Sequence, residues 1–435
     1  MTEPARGWIL AAPCSNAGKT LVSAALLRLL VRDGAAVTPF KAGPDYIDPG
    51  FLSAAAGTTC RNLDPWGMQT ARRGQMLGDQ SGDHFLIEGV MGLFDGAVSG
   101  EGSTADIAAA FGLPVILVIN TRGQGASVSA LAQGFVNHRA GVDVAGVIFT
   151  RVGSARHERI LFDSCADAGI RVFGSLTEDS ALTLQERHLG LVQAEERADL
   201  DALLERAADN LAENLDFEGL REIAAAPSIK DSDPALPIAP IGQNIAVARD
   251  IAFGFCYPHI LDDWRGAGAQ LSFFSPLADE APPSNADAVY LPGGYPELHA
   301  GALSANENFL CGLRDAAARD AIILGECGGY MVLGQGVVDA DGARHPMAGL
   351  LELETSFADR KLHLGYRKAN LRAECGLGPA NSEFRAHEFH YANVIREQGD
   401  HLFTVRDALG EQEERAGLAS GRIMGSFIHL IDRTP

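Results

Sequence analysis

The chain has no Cys-x-x-Cys pair, no apolar run of membrane-spanning length, no secretory leader and no surplus of basic residues. Its seven cysteines, an odd number scattered from Cys14 to Cys375, read as reduced thiols and not as a disulfide framework. The missing leader and spanning run make the cytoplasm the expected compartment and exclude a membrane partner. Only 35 Lys and Arg stand against 56 Asp and Glu, so the formal charge is −21 and nucleic acid is excluded as a bulk partner. An anionic small substrate has to be met by local arginines and lysines.

At 435 residues, 46% hydrophobic and 21% charged, the chain predicts a globular protein of two or three domains, each with its own core. Its organising stretch is Ile322-Ile323-Leu324-Gly325-Glu326-Cys327-Gly328-Gly329-Tyr330-Met331. An apolar strand enters it and a helical pattern leaves it, so Cys327 falls on a tight strand-to-helix turn between Gly325 and Gly329, the geometry of a nucleophile elbow. The helix N-terminus is expected to favour thiolate over thiol. The plain alternative, a buried core cysteine, does not account for the paired glycines.

Near the N-terminus, Gly7 to Ala12 reads as a buried strand and Thr20 to Arg32 as an amphipathic helix. Between them lies Ala12-Pro13-Cys14-Ser15-Asn16-Ala17-Gly18-Lys19-Thr20. This is the layout of a P-loop, with the backbone of Ser15, Asn16, Ala17 and Gly18 around phosphates, Lys19 on the β/γ phosphates and the Thr20 hydroxyl on Mg²⁺. Pro13 stands where the first glycine of the standard motif would fall, so the loop must differ in detail. A strand at Ala36 to Phe40 runs into Lys41-Ala42-Gly43-Pro44-Asp45-Tyr46-Ile47-Asp48-Pro49, and one at Phe85 to Val90 carries Glu88. Lys41, Asp45, Tyr46 and Asp48 then sit where open α/β sheets bind ligands. A buried Glu88 needs a partner, which Mg²⁺ held by Thr20, Asp45 and Glu88 would supply.

Further strands at Pro114 to Asn120, Val144 to Thr150 and Arg171 to Leu176 alternate with helices at Ser127 to Asn137 and Arg156 to Ala168, which implies a doubly wound parallel sheet. Glu195 to Ala225 reads as strongly helical. The proline-rich segment after it is an aperiodic linker, so the expected domains are 1–226, a linker at 227–243, and 244–435. A new α/β pattern starts at Asn244. Its strand Ala288 to Leu291 ends in Pro292-Gly293-Gly294-Tyr295, whose glycines can present N–H groups to an oxyanion. His387 and His390 lie in an alternating stretch that puts them on opposite strand faces, which argues against a metal pair. His429, after an apolar strand, is a candidate base for the elbow cysteine.

Together the Gly-Glu-Cys327-Gly-Gly-Tyr elbow, the Leu-Pro-Gly-Gly-Tyr-Pro-Glu loop and the Ser-Phe-Ile-His429 ending resemble a class I glutamine amidotransferase domain of the cobyrinic/cobyric acid synthase type. The N-terminal half, with its altered P-loop and Lys-Ala-Gly-Pro-Asp-Tyr-Ile-Asp-Pro, resembles the dethiobiotin-synthetase-like ATP domain of the same family. Within it, the a,c-diamide synthases of cobalamin biosynthesis are the best match, because cobyric acid synthases differ at Lys41 to Pro49. The resemblance implies a doubly wound P-loop domain followed by a class I amidotransferase α/β domain. It makes Cys327 the glutaminase nucleophile and His429 its base, with Gly294 and Gly328 in the oxyanion hole. Lys19 and Lys41 would contact the transferred phosphate, and Thr20, Asp45 and Glu88 would hold Mg²⁺.

The implied partners are L-glutamine, ATP and a corrinoid polycarboxylate, hydrogenobyrinate or cobyrinate, with a homodimer left open. Its a and c acetates would be amidated in turn through acyl phosphates, with Tyr46, Asp48, Arg61 and Asp64 as substrate-binding candidates. Two departures stand out. Ile431 occupies the place where many class I amidotransferases have a glutamate after the histidine, so Cys327 and His429 are expected to act as a dyad. Thr150 stands where relatives often have an adenine-reading asparagine. Nickel-sirohydrochlorin a,c-diamide synthase shares the reaction and is the alternative among enzymes. A deviant P-loop partitioning ATPase would carry its signature lysine at Cys14 and leave Cys327 idle; a free-standing cysteine hydrolase leaves the P-loop unexplained.

Overall fold

The computed structural model describes residues 4–184, 186–187, 190–230 and 235–434. They form two compact units, Met1–Pro234 and Ala235–Pro435. The segment 227–243 contributes to both: Ser228 N–H donates to Phe111 O at 2.8 Å, Ile238 and Ile241 are buried, and its residues 231–234 lie outside the described residues. Among the described residues no helix is long and apolar enough to cross a membrane.

In the N-terminal unit, strands β1 (Arg6–Ala11), β2 (Val37–Ala42), β3 (Arg61–Leu63), β4 (His84–Glu88), β5 (Val115–Asn120), β6 (Val144–Val152) and β7 (Val172–Thr177) form one sheet. Its order is β3-β2-β4-β1-β5-β6-β7 and every neighbouring pair is parallel. Such strands are apolar at consecutive positions because both faces are covered. Along β1, Trp8 and Leu10 enter the core that contains α1 (Lys19–Arg32), while Ile9 and Ala11 enter the core on the opposite face. The winding reverses beside β1, which brings the C-terminal ends of β1, β4 and β2 together with Glu88 in register with Leu10 and Lys41. That reversal is where open α/β sheets place ligands.

The stretch Glu195 to Ala225, expected to be strongly helical, is helical in separate pieces. It holds a turn at Ala194–Glu196 and two helices, Leu200–Ala212 and Phe217–Ile223. Asp216 ends the continuity, because its side chain accepts the Gly219 N–H at 2.9 Å and caps a new helix.

The C-terminal unit is built on a ten-stranded mixed sheet. Five strands are parallel: Gln270–Phe274, Asn244–Ala248, Ala288–Leu291, Ile322–Glu326 and Ile423–Ser426. Five antiparallel strands follow: Glu414–Ser420, Asp400–Asp407, His363–Leu371, Glu383–His390 and Ile428–Arg433. Only Phe427 separates Ile423–Ser426 from Ile428–Arg433, yet four strands lie between them in the sheet order. The antiparallel half therefore curls back on itself. His429 is thus the second residue of the last strand, paired opposite His387.

Candidate functional site

The loop after β1 is shaped by its neighbours. Gly18 takes φ 89° ahead of α1, a left-handed conformation that glycine adopts without strain. The buried Thr150 hydroxyl donates to Ala17 O at 2.7 Å, so the residue found in place of an asparagine holds the P-loop backbone. Leu93 N–H donates to Ala12 O at 2.8 Å, and Lys19 Nζ donates to Met91 O at 2.6 Å and Cys14 O at 3.4 Å. The loop after β4 is thereby clasped to the P-loop, while Ser15 and Asn16 are exposed.

Beside it Lys41, 2% exposed, lies among three carboxylates. Its ammonium is 2.5 Å from Asp48 Oδ2, 2.6 Å from Glu88 Oε1 and 4.0 Å from Asp45 Oδ2. Thr20 Oγ1 donates to Glu88 Oε1 at 3.1 Å. Asp45 Oδ1 accepts the N–H groups of Ile47 and Asp48 at 2.8 and 3.0 Å, fastening the start of α2 (Asp48–Ala56). Burial pushes Asp45 up to about 6, reinforced by the Asp48 charge. Burial acts on Asp48 the same way, but the Lys41 ammonium outweighs it and holds Asp48 below the usual carboxylate range. Lys41 is raised because its carboxylates outweigh burial; Lys19 is lowered to about 8 by burial and by Lys41. Glu88 Oε2 is buried without a hydrogen-bond partner. A buried, unpartnered carboxylate oxygen on Glu88, whose other oxygen meets the Thr20 hydroxyl, is the kind of donor a hard divalent cation takes; the Asp45 carboxylate lies beyond, 4.0 Å from the Lys41 ammonium.

Of the remaining N-terminal candidates, Tyr46 and Arg61 are half-buried. Asp64 is fully buried, and its Oδ1 accepts the Trp66 and Gly67 N–H groups at 2.9 and 2.6 Å, so it fastens the loop after β3. Asn62, not singled out in the sequence, donates from its amide to Gly43 O at 2.9 Å and Asp45 O at 2.7 Å and sets the shape of the turn that carries Asp45.

In the C-terminal unit Cys327 has φ 47° and ψ −102°, a strained conformation at the junction of strand Ile322–Glu326 and the helix Gly328–Leu333. Glycine is required around it by close approach. A Cβ on Gly329 would lie 2.0 Å from Leu291 O, and one on Gly425 2.6 Å from the Tyr330 ring. Gly329→Ala is expected to cost about 3 kcal/mol, read as a lowered urea midpoint for the C-terminal unit. A Cβ on Gly293 would meet both the His429 ring at 2.5 Å and Cys327 Cβ at 3.3 Å. The bare Gly293 backbone thus leaves free the space beside both residues. The Gly328 and Gly294 N–H groups both face the sulfur, as an oxyanion cradle requires, and the thiol lies 3.8 Å from Phe389 O.

Residues 244–434 match the CobB/CobQ-like glutamine amidotransferase domain, and residues 8–192 match the CobQ/CobB/MinD/ParA nucleotide binding domain. Proteins called hydrogenobyrinate a,c-diamide synthase are similar along the whole length. The one from Brucella anthropi is 51% identical over 98% of both chains. That of Rhizobium meliloti is 51% identical over 98% of this chain and 99% of its own, and that of Rhodobacter capsulatus 48% over 99% and 100%. The chain belongs to this family of a,c-diamide synthases. It is a glutamine amidotransferase that joins a nucleotide-binding domain to an amidotransferase domain.

The surroundings of Cys327 oppose the thiolate that the helix N-terminus was expected to favour. Burial pushes the thiol up and the Glu297 carboxylate adds to it; together they outweigh the Gly328 and Gly294 N–H groups. The helix behind the thiol is only six residues long. Burial and the nearby His387 lower His429 to about 3, so its ring is neutral. His387 and His390 do lie on opposite strand faces. His390 joins Glu388 and His363 in a group whose ligand atoms lie within 4.8 Å of one another. Glu388 is already balanced there by Arg367 at 2.7 Å and His390 at 3.0 Å. Sequence reading passed over Glu326, a charged residue in an apolar strand. Its Oε2 lies 4.0 Å from His429 Nδ1. The same signal had drawn attention to Glu88.

Proposed function

We propose that the protein catalyses ATP-dependent, glutamine-hydrolysing amidation of the a and c side-chain carboxylates of hydrogenobyrinate, or of its cobalt counterpart cobyrinate, in cobalamin biosynthesis. The observation that carries this reading is a phosphate-type loop and a buried thiol elbow in one chain, 51% identical over 98% of its length to proteins of that name.

A free carboxylate is a poor acyl donor, and ATP supplies the leaving group by converting it to an acyl phosphate. The backbone of Ser15 to Gly18 binds phosphate oxygens, and Lys19 exchanges its two carbonyl acceptors for them. Lys41 is fixed by Asp48 and Glu88 where it can neutralise charge on the transferred phosphoryl group. Mg²⁺, held by Thr20, Asp45 and Glu88, would screen the phosphates and polarise the γ-phosphoryl group. Tyr46 and Arg61 border this cluster in sequence and are the candidates for holding the polycarboxylate; Asp48 is engaged by Lys41, and Asp64 by the backbone of the loop after β3.

In the amidotransferase unit Cys327 gives its proton to His429 as sulfur attacks the glutamine carboxamide. The Gly294 and Gly328 N–H groups receive the oxyanion, His429 returns the proton to the departing ammonia, and water releases glutamate from the thioester. Ammonia then displaces phosphate from the activated substrate.

Incubation of the purified protein with hydrogenobyrinate, ATP and glutamine should give the diamide by mass spectrometry, with labelled carboxylate oxygen appearing in inorganic phosphate. Parallel reactions with cobyrinate and nickel-sirohydrochlorin rank the tetrapyrroles. Absence of diamide from every one of them, or unlabelled phosphate, would contradict the proposal.

A further inference from the structure

We propose that Glu326, the residue before the nucleophile, is the positioning acid that orients His429 and balances the charge His429 gains on deprotonating Cys327. The inference rests on the reading of Cys327 and His429 as the glutaminase pair.

Glu326 closes the buried strand that delivers the elbow, and its carboxylate is tied down on both oxygens. Oε2 accepts the Tyr290 hydroxyl at 2.7 Å and lies 4.0 Å from His429 Nδ1. Oε1 accepts the Leu430 N–H at 3.2 Å. Leu430 follows His429, so one carboxylate faces the ring and also fixes the backbone that bears it. The C-terminal position two residues after the histidine holds Ile431 and offers no charge. The acid reaches the histidine from the neighbouring element instead.

Proton bookkeeping requires such a group. His429 takes the Cys327 proton and becomes an imidazolium in a site where burial and His387 disfavour it. His390 adds to that repulsion, and Glu388 opposes it while paired to Arg367 and His390. Glu326 also meets the Tyr290 hydroxyl and the field of Cys256, with Cys327 next in the chain. Burial pushes Glu326 up to about 7 against the Tyr290 and Leu430 hydrogen bonds. The carboxylate form therefore grows as pH rises through neutrality, and glutaminase activity should rise with it.

The test is glutamine hydrolysis by full-length Glu326→Gln, which keeps the shape and an acceptor for Leu430 N–H but not the charge. Its kcat is expected to fall by about 100-fold or more, with KM changed less than about threefold. The acidic limb of the kcat profile should disappear, while amidation from ammonium salt is retained. A kcat within about threefold of the parent, or a fall that leaves the acidic limb in place, overturns the inference. If Glu326→Gln does not fold, Tyr290→Phe decides. Losing the hydroxyl donor should move the acidic limb to higher pH, and an unmoved limb rejects the role. Glutamine hydrolysis that survives Cys327→Ser would instead remove the underlying reading.

Discussion

Cys327→Ser is expected to abolish glutamine-dependent amidation, by on the order of 10⁴-fold or more, and to leave ammonia-dependent amidation at the parent's rate. A serine hydroxyl is far less acidic than a thiol, and His429, held down to about 3, is too weak a base to activate it. The side chains differ by one atom in a site that is 3% exposed, so the fold should survive. The nucleotide-binding unit has its own core and sheet, and acyl activation should proceed there unchanged. Diamide formation is measured with glutamine, and separately with ammonium salt at high pH where free ammonia is plentiful. Persistent glutamine use, or failure with ammonia in a folded variant, contradicts the separation of nitrogen supply from carboxylate activation.

Lys19→Ala should behave in the opposite way and lose amidation with either nitrogen donor, by about 100-fold or more. Activation of the carboxylate precedes every amide bond, so no nitrogen source can bypass it. Lys19 is the cleaner choice beside Lys41. Its ammonium meets two backbone carbonyls, which water can satisfy after truncation. Removing Lys41 would strand Asp48 and Glu88 as buried carboxylates without their cation, at a cost of about 3–5 kcal/mol. Glutamine hydrolysis by Lys19→Ala should persist, which shows the C-terminal unit intact. Normal turnover on ammonia would remove Lys19 from the phosphate site.

The parallel sheet of the first unit was readable in six of its strands because they are largely apolar runs, while the short edge strand β3, Arg61-Asn62-Leu63, carries no such signal and went unread; the P-loop was readable because it lies between a strand and a helix signal. The Cys327 elbow was readable for the same reason, with glycines marking the close crossing. The Glu195 to Ala225 region is helical as its composition implies, and the Asp216 capping bond is what starts its second helix. Thr150 looked like a departure from a base-reading position, and only its bond to Ala17 gives it a place in the P-loop. The thiolate expectation left out burial, which pushes the Cys327 thiol up and against which a helix of six residues offers little field.

By itself the sequence determined the elements whose cause is local: strand, tight turn and helix around Lys19 and around Cys327, each set by a few consecutive residues. Tertiary structure decided which distant side chains meet. Lys41 and Glu88 share a register across two strands, and Gly293 must be bare because His429 and Cys327 both flank it. Glu326 faces a histidine about a hundred residues later because the antiparallel half of the sheet curls back at Phe427. Strand order and curl come from many weak packing contacts summed over the whole unit, and no short window of sequence contains that sum.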